Sequence, residues 1–243
     1  MSESSISYQP LGTERYKKIV FLTGAGISKA SGLPTYRGKG GVWTTENVED
    51  IGTKEAMEKD SLKIWRAYVP RHRKVLEAKP NAAHQAIADL QKRLGEKAWV
   101  CVLTQNVDGL HQAAGTESVI EAHGSLRRLR CTECSIKPWE ITEDLTDEPP
   151  PCPDCGAPAR FDIVLFNEPV DPMLGLQALA FLGDCDLYIT VGTSGLVAPA
   201  SQLIDIADEA GARTVFVNTE PEDGRYQEYY VGKAEELLPH LLR

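Results

Sequence analysis

Ile19-Val20-Phe21-Leu22-Thr23-Gly24-Ala25-Gly26-Ile27-Ser28 is the stretch on which the fold turns: a short apolar run breaks off at two closely spaced glycines. Such a run is too short for a helix and too continuous for a half-exposed strand, so it reads as a central strand of a parallel sheet covered on both faces. Three more runs follow the same plan, Ile19–Thr23 being joined by Trp99–Thr104, Leu187–Val191 and Thr214–Val217, each ending in a glycine or polar turn. The segments between them look helical. In residues 81–94, Asn81 can cap a helix start, and Ala83, Ile87, Leu90 and Leu94 recur at spacings of four and three, forming one buried stripe. Strands alternating with helices predict a doubly wound, Rossmann-like α/β fold.

With 243 residues, 42% of them apolar, the chain can form one large domain carrying an inserted module. Its net charge of −9 disfavours polyanionic partners, and no nucleic-acid partner is expected. Only Arg127, Arg128, Arg130 and Lys137 cluster, which reads as a solvated face or as partners for neighbouring acids. Residues 1–18 have no apolar core of the secretory type, and nothing approaches the roughly 18 apolar residues of a membrane span. A soluble, cytoplasmic chain with no membrane partner, most simply a monomer, is expected.

Six cysteines are too few for a disulfide framework. Cys101 and Cys185 lie in or beside apolar runs and read as core residues. The other four form two pairs, Cys131-x2-Cys134 and Cys152-x2-Cys155, separated by 17 residues, which is the spacing of a tetrahedral zinc ribbon. Four thiolates leave no position for water, so the ion is structural. The acidic, proline-rich stretch 140–151 reads as an exposed excursion. The large domain is accordingly assigned to 1–36, 80–126 and 160–243, a helical flap part to 37–79 and the zinc module to 127–159.

In open α/β sheets ligands bind beyond the carboxyl ends of the strands. The turns there read Gly24–Ser28, Gln105–Gly109, Gly192–Gly195 and Asn218–Glu220. Glycines let a backbone approach a ligand closely, free amides at a helix start favour phosphate oxygens, and Asn218 and Glu220 suit ribose hydroxyls. Lys29 stands where the dehydrogenase fingerprint needs its third glycine, which disfavours hydride transfer. The loop instead runs on from Ser31 to Trp43, long enough to wrap a nucleotide. His123 follows the run 118–122 and precedes Gly124, so it projects from a strand end into the same crevice; a structural and a catalytic histidine both fit that position. His72, His84, His111 and His240 read as packing or surface residues.

In chain order the sequence contains GAGISKASGLPTYRG, TQNVDGLH, EAHGS, the paired cysteines, VLFNEPVD, GTSGLVAPA, VNTEP and GKAEELLP. From about Val20 to Pro239 this ordered set resembles the sirtuin family. The resemblance implies an NAD-dependent protein-lysine deacylase. In the reaction it implies, the acyl oxygen displaces nicotinamide to leave an imidate joined to ADP-ribose. A base, His123, then activates a ribose hydroxyl, and O-acyl-ADP-ribose and free lysine are released, so NAD is a consumed co-substrate. It places Gly24, Ala25, Gly26, Ser28, Tyr36, Arg37 and Trp43 around the phosphates and nicotinamide. Gln105, Asn106 and Asp108 hold the reacting ribose and carboxamide, with Asn106 counted beside His123 among the catalytic residues. Gly192, Thr193 and Ser194 cradle phosphate or ribose, Asn218 and Glu220 the adenosine ribose, and Ala234 approaches adenine.

The same resemblance makes Val164–Glu168, with Val164 and Phe166 as substrate contacts, the strand that clamps an acylated peptide. Tyr68-x-x-Arg71 resembles the signature of the subgroup that removes succinyl and malonyl groups. Physically, a phenol and a guanidinium fork can hold a terminal carboxylate. Gly52 adds room to that pocket. Pro70, between the pair, is expected to disturb the helix, Tyr36 replaces the usual phenylalanine, and Asn167 replaces a glycine at a left-handed turn. Mono-ADP-ribosyl transfer by the same NAD-cleaving step is the alternative chemistry, and a zinc-ribbon nucleic-acid module the alternative class.

Overall fold

The computed structural model describes residues 8–35, 41, 42, 47–193, 200–221 and 224–243. Nine strands form among them: β1 (Lys18–Thr23), β2 (Trp99–Thr104), β3 (Val119–Glu121), β4 (Gly124–Cys131), β5 (Trp139–Glu140), β6 (Ala159–Ile163), β7 (Leu187–Val191), β8 (Arg213–Asn218) and β9 (Glu228–Val231). Six make one sheet in the order β3-β2-β1-β7-β8-β9, and every neighbouring pair is parallel. The four apolar runs are its central strands. Because successive side chains alternate across a strand, Ile19 and Phe21 join one core with Ala83, Ile87, Leu90 and Leu238, while Val20 and Leu22 join another with Leu182, Leu203 and Ala207. Both faces of the sheet are thereby covered, the condition under which continuous apolar strands survive.

Helix Ala82–Leu94 forms where its stripe predicts, started by a capping box in which Asn81 accepts from the Ala83 amide at 2.9 Å and His84 Nδ1 accepts from the Asn81 amide at 3.3 Å. Ile87 is fully buried; truncating such a side chain costs about 2–5 kcal/mol. No helix among the described residues is long and apolar enough to cross a membrane.

The remaining strands form a separate antiparallel sheet, β5-β4-β6. It packs on helix Ser61–Glu77 through a third core, where the Trp65 and Phe161 rings stack with centroids 4.8 Å apart. The small sheet reaches beyond 127–159 at both ends, since β4 begins at Gly124 and β6 ends at Ile163. Helix Ser61–Glu77 runs unbroken through Pro70, contrary to the disturbance expected of that proline. Pro70 and Arg66, whose carbonyl loses its helical donor, are both exposed, so water can serve that oxygen. Nor is 140–151 wholly an excursion. Leu145 is buried, and the carbonyls of Leu145, Thr146 and Asp147 accept from Arg73, Trp65 and Arg66 of the helix at 2.9, 3.0 and 3.2 Å.

Candidate active site and zinc centre

Thr23 lies in register with both Thr104 and Val191, so β1, β2 and β7 end at one level. From β1 the chain passes to β2 on one side and later to β7 on the other, which makes the β1/β7 boundary the topological switch point where such sheets open a crevice. Gly24 and Gly26 meet Gly192 there. The Gly26 amide donates to Gly192 O at 2.8 Å. A Cβ on Gly26 would stand 2.7 Å from Gly192 Cα, one on Gly24 2.5 Å from Thr193 Cβ, and Gly192 has φ +63°. These glycines are thus required first by the contact between two loops, a use the ligand-approach reading of the sequence does not include.

Beneath the loops lies a buried polar network. Ser28 Oγ donates to Asp108 Oδ2 at 2.7 Å and accepts from Asn106 Nδ2 at 3.2 Å; Asn106 Nδ2 also donates to Gly24 O at 3.1 Å, and Asp108 Oδ1 accepts from the Leu110 amide at 2.9 Å. His84 Nε2 lies 3.4 Å from Ser28 Oγ. Its Nδ1 accepts from Asn81, so the ring is neutral with the proton on Nε2, and burial pushes its pKa down to about 4. Asn106 Oδ1 is buried and has no hydrogen-bond partner among the described residues. A buried, unpaired carbonyl oxygen costs about 1–3 kcal/mol unless a donor reaches it.

His123 stands on the link between β3 and β4, half-buried, with Nδ1 2.9 Å from Gln105 O. A carbonyl cannot donate, so Nδ1 carries the proton and Nε2 keeps its lone pair. Burial holds the ring below the usual imidazole pKa of 6.5. Gln105 also accepts at Oε1 from Thr193 Oγ1 at 2.8 Å, which joins the β2 and β7 loops. His111 is packed under the same floor: its Nε2 lies 2.9 Å from Thr23 Oγ1, which donates to Thr104 Oγ1 at 2.9 Å. Burial takes His111 to about 3. The contact of His84 with Ser28 therefore adds to the crevice a residue that the sequence reading assigns to packing; its i+3 position from a capping asparagine gives no hint of it.

Asn218 ends β8 and donates through Nδ2 to Thr193 O at 3.4 Å, so it adjoins the same loop. Glu220 is exposed just beyond it, and Ala234 is buried at the first position of helix Ala234–Leu241. Tyr36, Arg37, Trp43 and Ser194 lie outside the described residues, as do positions 36–40 and 43–46 of the flap; Val42 N donates to Thr35 O at 2.8 Å.

Tyr68 and Arg71 do come together. The Arg71 guanidinium sits 4.7 Å from the Tyr68 ring centroid, and its Nη1 donates to Ala67 O at 2.7 Å. Val164–Glu168 is not a strand: it is a loop pinned at Phe166, which bridges Thr53 in parallel, its amide donating to Gly52 O and its carbonyl accepting from the Lys54 amide, both at 2.9 Å. The carbonyl of Gly52 is thereby engaged in backbone pairing with this loop. Asn167, at φ +66°, is the one non-glycine among the described residues with positive φ, and Glu168 closes the loop by accepting from Arg160 at 2.6 Å and from the Leu165 amide at 2.8 Å. The Val164 amide donates to His123 O at 3.0 Å, so loop and histidine are directly connected.

In the small module the thiols of Cys131, Cys134, Cys152 and Cys155 lie within 4.8 Å of one another, with Cys131–Cys155 at 3.5 Å and Cys134–Cys152 at 3.6 Å. A tetrahedral zinc with Zn–S of about 2.3 Å has edges of about 3.8 Å, so the cluster fits a structural zinc ion. Amides of Cys134 and Glu133 point at Cys131 Sγ, each at 3.3 Å, and draw its pKa down to about 6, favouring the thiolate a metal needs.

A model of the Sir2 family matches residues 24–199. The chain belongs to the Sir2 family. An NAD-dependent protein deacylase of Pyrococcus furiosus is 41% identical over 230 residues, 92% of this chain and 91% of that protein. One from Aeropyrum pernix is 46% identical over 202 residues, 83% and 81% of the two chains. Among solved structures, a Sir2 homologue in complex with NAD superposes with a TM-score of 0.86 at 36% identity, covering 97% of this sirtuin and 95% of that chain. A Sir2 complex with p53 peptide and NAD gives 0.78 at 30% identity, covering 92% and 91%. NAD fits the crevice of this sirtuin on its own chemistry: the orphaned Asn106 oxygen asks for an N–H or hydroxyl donor, and a carboxamide or a ribose supplies one.

Proposed function

We propose that this sirtuin is an NAD-dependent protein-lysine deacylase. The observation that carries the reading is His123, whose Nδ1–H is held by Gln105 O so that the unprotonated Nε2 is available as a base at neutral pH. NAD, when bound, supplies the electrophilic sugar carbon and the hydroxyl that finally accepts the acyl group. Asn106, fixed by Gly24 O and Ser28, offers its buried Oδ1 to the nicotinamide-side sugar or amide, and Asp108 and His84 keep Ser28 oriented. Gly192 and Thr193, with Asn218 behind them, line the phosphate and ribose path. His123 takes the ribose hydroxyl proton once the acyl oxygen has bonded to the sugar. An acylated protein segment is held beside Val164 and Phe166, whose loop hangs from His123 O and from Gly52.

Within this reading Tyr68 and Arg71 select acyl groups that end in a carboxylate. Their shared face on an unbroken helix supports the pairing, and a guanidinium beside a buried phenol gives such a carboxylate the partner an apolar pocket lacks. The decisive experiment is mass spectrometry of products from NAD with acetyl-, succinyl- and malonyl-lysine peptides. Free lysine peptide with O-acyl-ADP-ribose is expected, whereas ADP-ribosylated protein without it would establish mono-ADP-ribosyl transfer instead. Arg71→Met should reduce removal of the acidic groups at least about tenfold more than acetyl removal, the loss of one charge-assisted pair; equal loss across all three defeats the carboxylate selection while leaving deacylation intact.

A further inference from the structure

The arginines that the sequence singles out as a basic cluster have no part in the chemistry above. β4 and β6 are in register at Ser125↔Asp162 and next at Leu129↔Phe161, so Leu126, Arg127 and Arg128 form a bulge without counterparts on β6. Bulges re-aim side chains and backbone. Here the Leu126 amide donates to Val107 O at 2.8 Å, Arg127 Nε to Asp108 O at 2.8 Å and Arg127 Nη2 to Val75 O at 3.0 Å, tying the bulge to the loop after β2 and to helix Ser61–Glu77.

Arg128 reaches the strands on either side of His123. Its Nη1 donates to Glu121 Oε2 at 2.7 Å and its Nε to Asp162 Oδ2 at 3.1 Å. Glu121 ends β3 in the parallel sheet, two residues before His123. Asp162 lies in β6 of the small sheet, and its carbonyl is packed against Gly124, the residue after His123, only 2.0 Å from where a Cβ would stand. The three side chains are 27%, 11% and 14% exposed, so water screens them only partly. One guanidinium therefore bridges the two sheets across the two-residue link Ala122–His123. Without it, two carboxylates anchored in different sheets share one poorly hydrated space with no counterion, and their repulsion acts to separate the sheets at that link.

We infer that Arg128 is a positioning residue, holding His123 in place for proton transfer through the Glu121–Arg128–Asp162 clamp. The inference rests on the deacylase reading, and it predicts a loss confined to the step that needs the base. The test uses the zinc-loaded enzyme with NAD and acetyl- and succinyl-lysine peptides in parallel, following both deacylated peptide and the peptide-dependent exchange of labelled nicotinamide into NAD, which precedes the base-dependent step. In Arg128→Met the kcat for deacylation should fall by about tenfold or more, as expected for displacement of a catalytic group by a fraction of an ångström, while exchange and the KM for NAD are retained. Arg128→Lys, keeping a cation between the acids, should lie between, and adding Glu121→Gln to Arg128→Met should recover part of the loss. Equal loss of exchange and deacylation, or no loss of either, overturns the clamp. If Arg128→Met does not fold, the same split measured on Arg128→Lys decides. A native enzyme with neither reaction defeats the deacylase reading and the clamp with it, whereas native activity with an unsplit loss defeats the clamp alone.

Discussion

Gly124→Ala places a single methyl group at the link that carries His123, and its effect can be worked from the backbone. Gly124 has φ +76°, where any L side chain costs about 1–2 kcal/mol. The new Cβ would also stand 2.0 Å from Asp162 O, a backbone atom that no rotamer can move aside. Reaching ordinary contact requires the link and β6 to part by more than about 1 Å, and forcing a group into packed structure costs about 1–3 kcal/mol more. The variant should therefore lose about 2–5 kcal/mol of stability, within the roughly 5–15 kcal/mol a domain of this kind holds in reserve. The displaced neighbour is His123, and an error of about 1 Å at a reacting group costs about 100-fold in rate. Gly211→Ala is the control, because Gly211 has nearly the same φ, +77°, but nothing within 4 Å of its Cβ position; it should lose only the conformational 1–2 kcal/mol and keep its activity. Denaturant unfolding and steady-state deacylation of the two variants give the comparison. Matching unfolding midpoints with matching activities would refute the claim that the link is pressed against Asp162.

His123→Ala should lower deacylation about 10²–10⁴-fold, the usual worth of a general base, while peptide-dependent nicotinamide exchange continues; loss of both would remove His123 from the later step. Because burial depresses its pKa, His123 is a free base above that lowered value and is silenced by protonation as pH falls, so the acid limb of kcat/KM should lie below 6.5, and a limb above 6.5 contradicts the geometry. His84 and His111, held down to about 4 and about 3, take up protons near pH 6.5 only when the chain unfolds. The stability they confer is complete above 6.5 and drains away as pH falls toward those folded values, by about 1.4 kcal/mol per pH unit for each; urea midpoints that stay flat from pH 7 to pH 5 would rule this out. Chelation of zinc, or Cys152→Ser, should melt the small module first, seen as loss of near-ultraviolet circular dichroism from Trp65 and Trp139, because four thiolates without a metal cannot close the cluster.

The central strands were legible because their residues have only one physical use: Ile19–Thr23, Val100–Thr104, Leu187–Val191 and Thr214–Val217 can be buried on both faces and nowhere else, while Trp99 at the start of β2 stays exposed. The edge strand β9 is not announced in that way. Glu228-Tyr229-Tyr230-Val231 is short, begins with a charge and is only partly buried, and it becomes a strand by pairing with β8 while Tyr226 and Tyr229 cover Phe216. The cysteine cluster was legible for the opposite reason, since four soft ligands at ribbon spacing serve little except a metal. Pro70 misleads because its own propensity, taken alone, predicts a disturbed helix. A proline on the exposed side of a helix packed along its whole length loses one solvent-facing hydrogen bond, and the packing of Trp65, Tyr68 and Val69 outweighs that loss.

Within the site, what the sequence conceals is the second rank of contacts. Ser28, Asn106 and Asp108 stand in recognisable turns, but the network that orients them includes His84 from a helix, 56 residues away in sequence from Ser28, and nothing in a helical stripe distinguishes a histidine that packs from one that also donates to a serine. The arginines show the same limit with charge. Adjacent in sequence, Arg127 and Arg128 read as one basic face, yet a bulge sends the first to backbone carbonyls and the second to two carboxylates on different sheets. A bulge depends on which strand pairs with which, so side-chain direction within it is decided only after both sheets exist. The histidine proposed as the base can be named from its motif, whereas the contacts that surround it come from residues whose neighbours are assigned by topology.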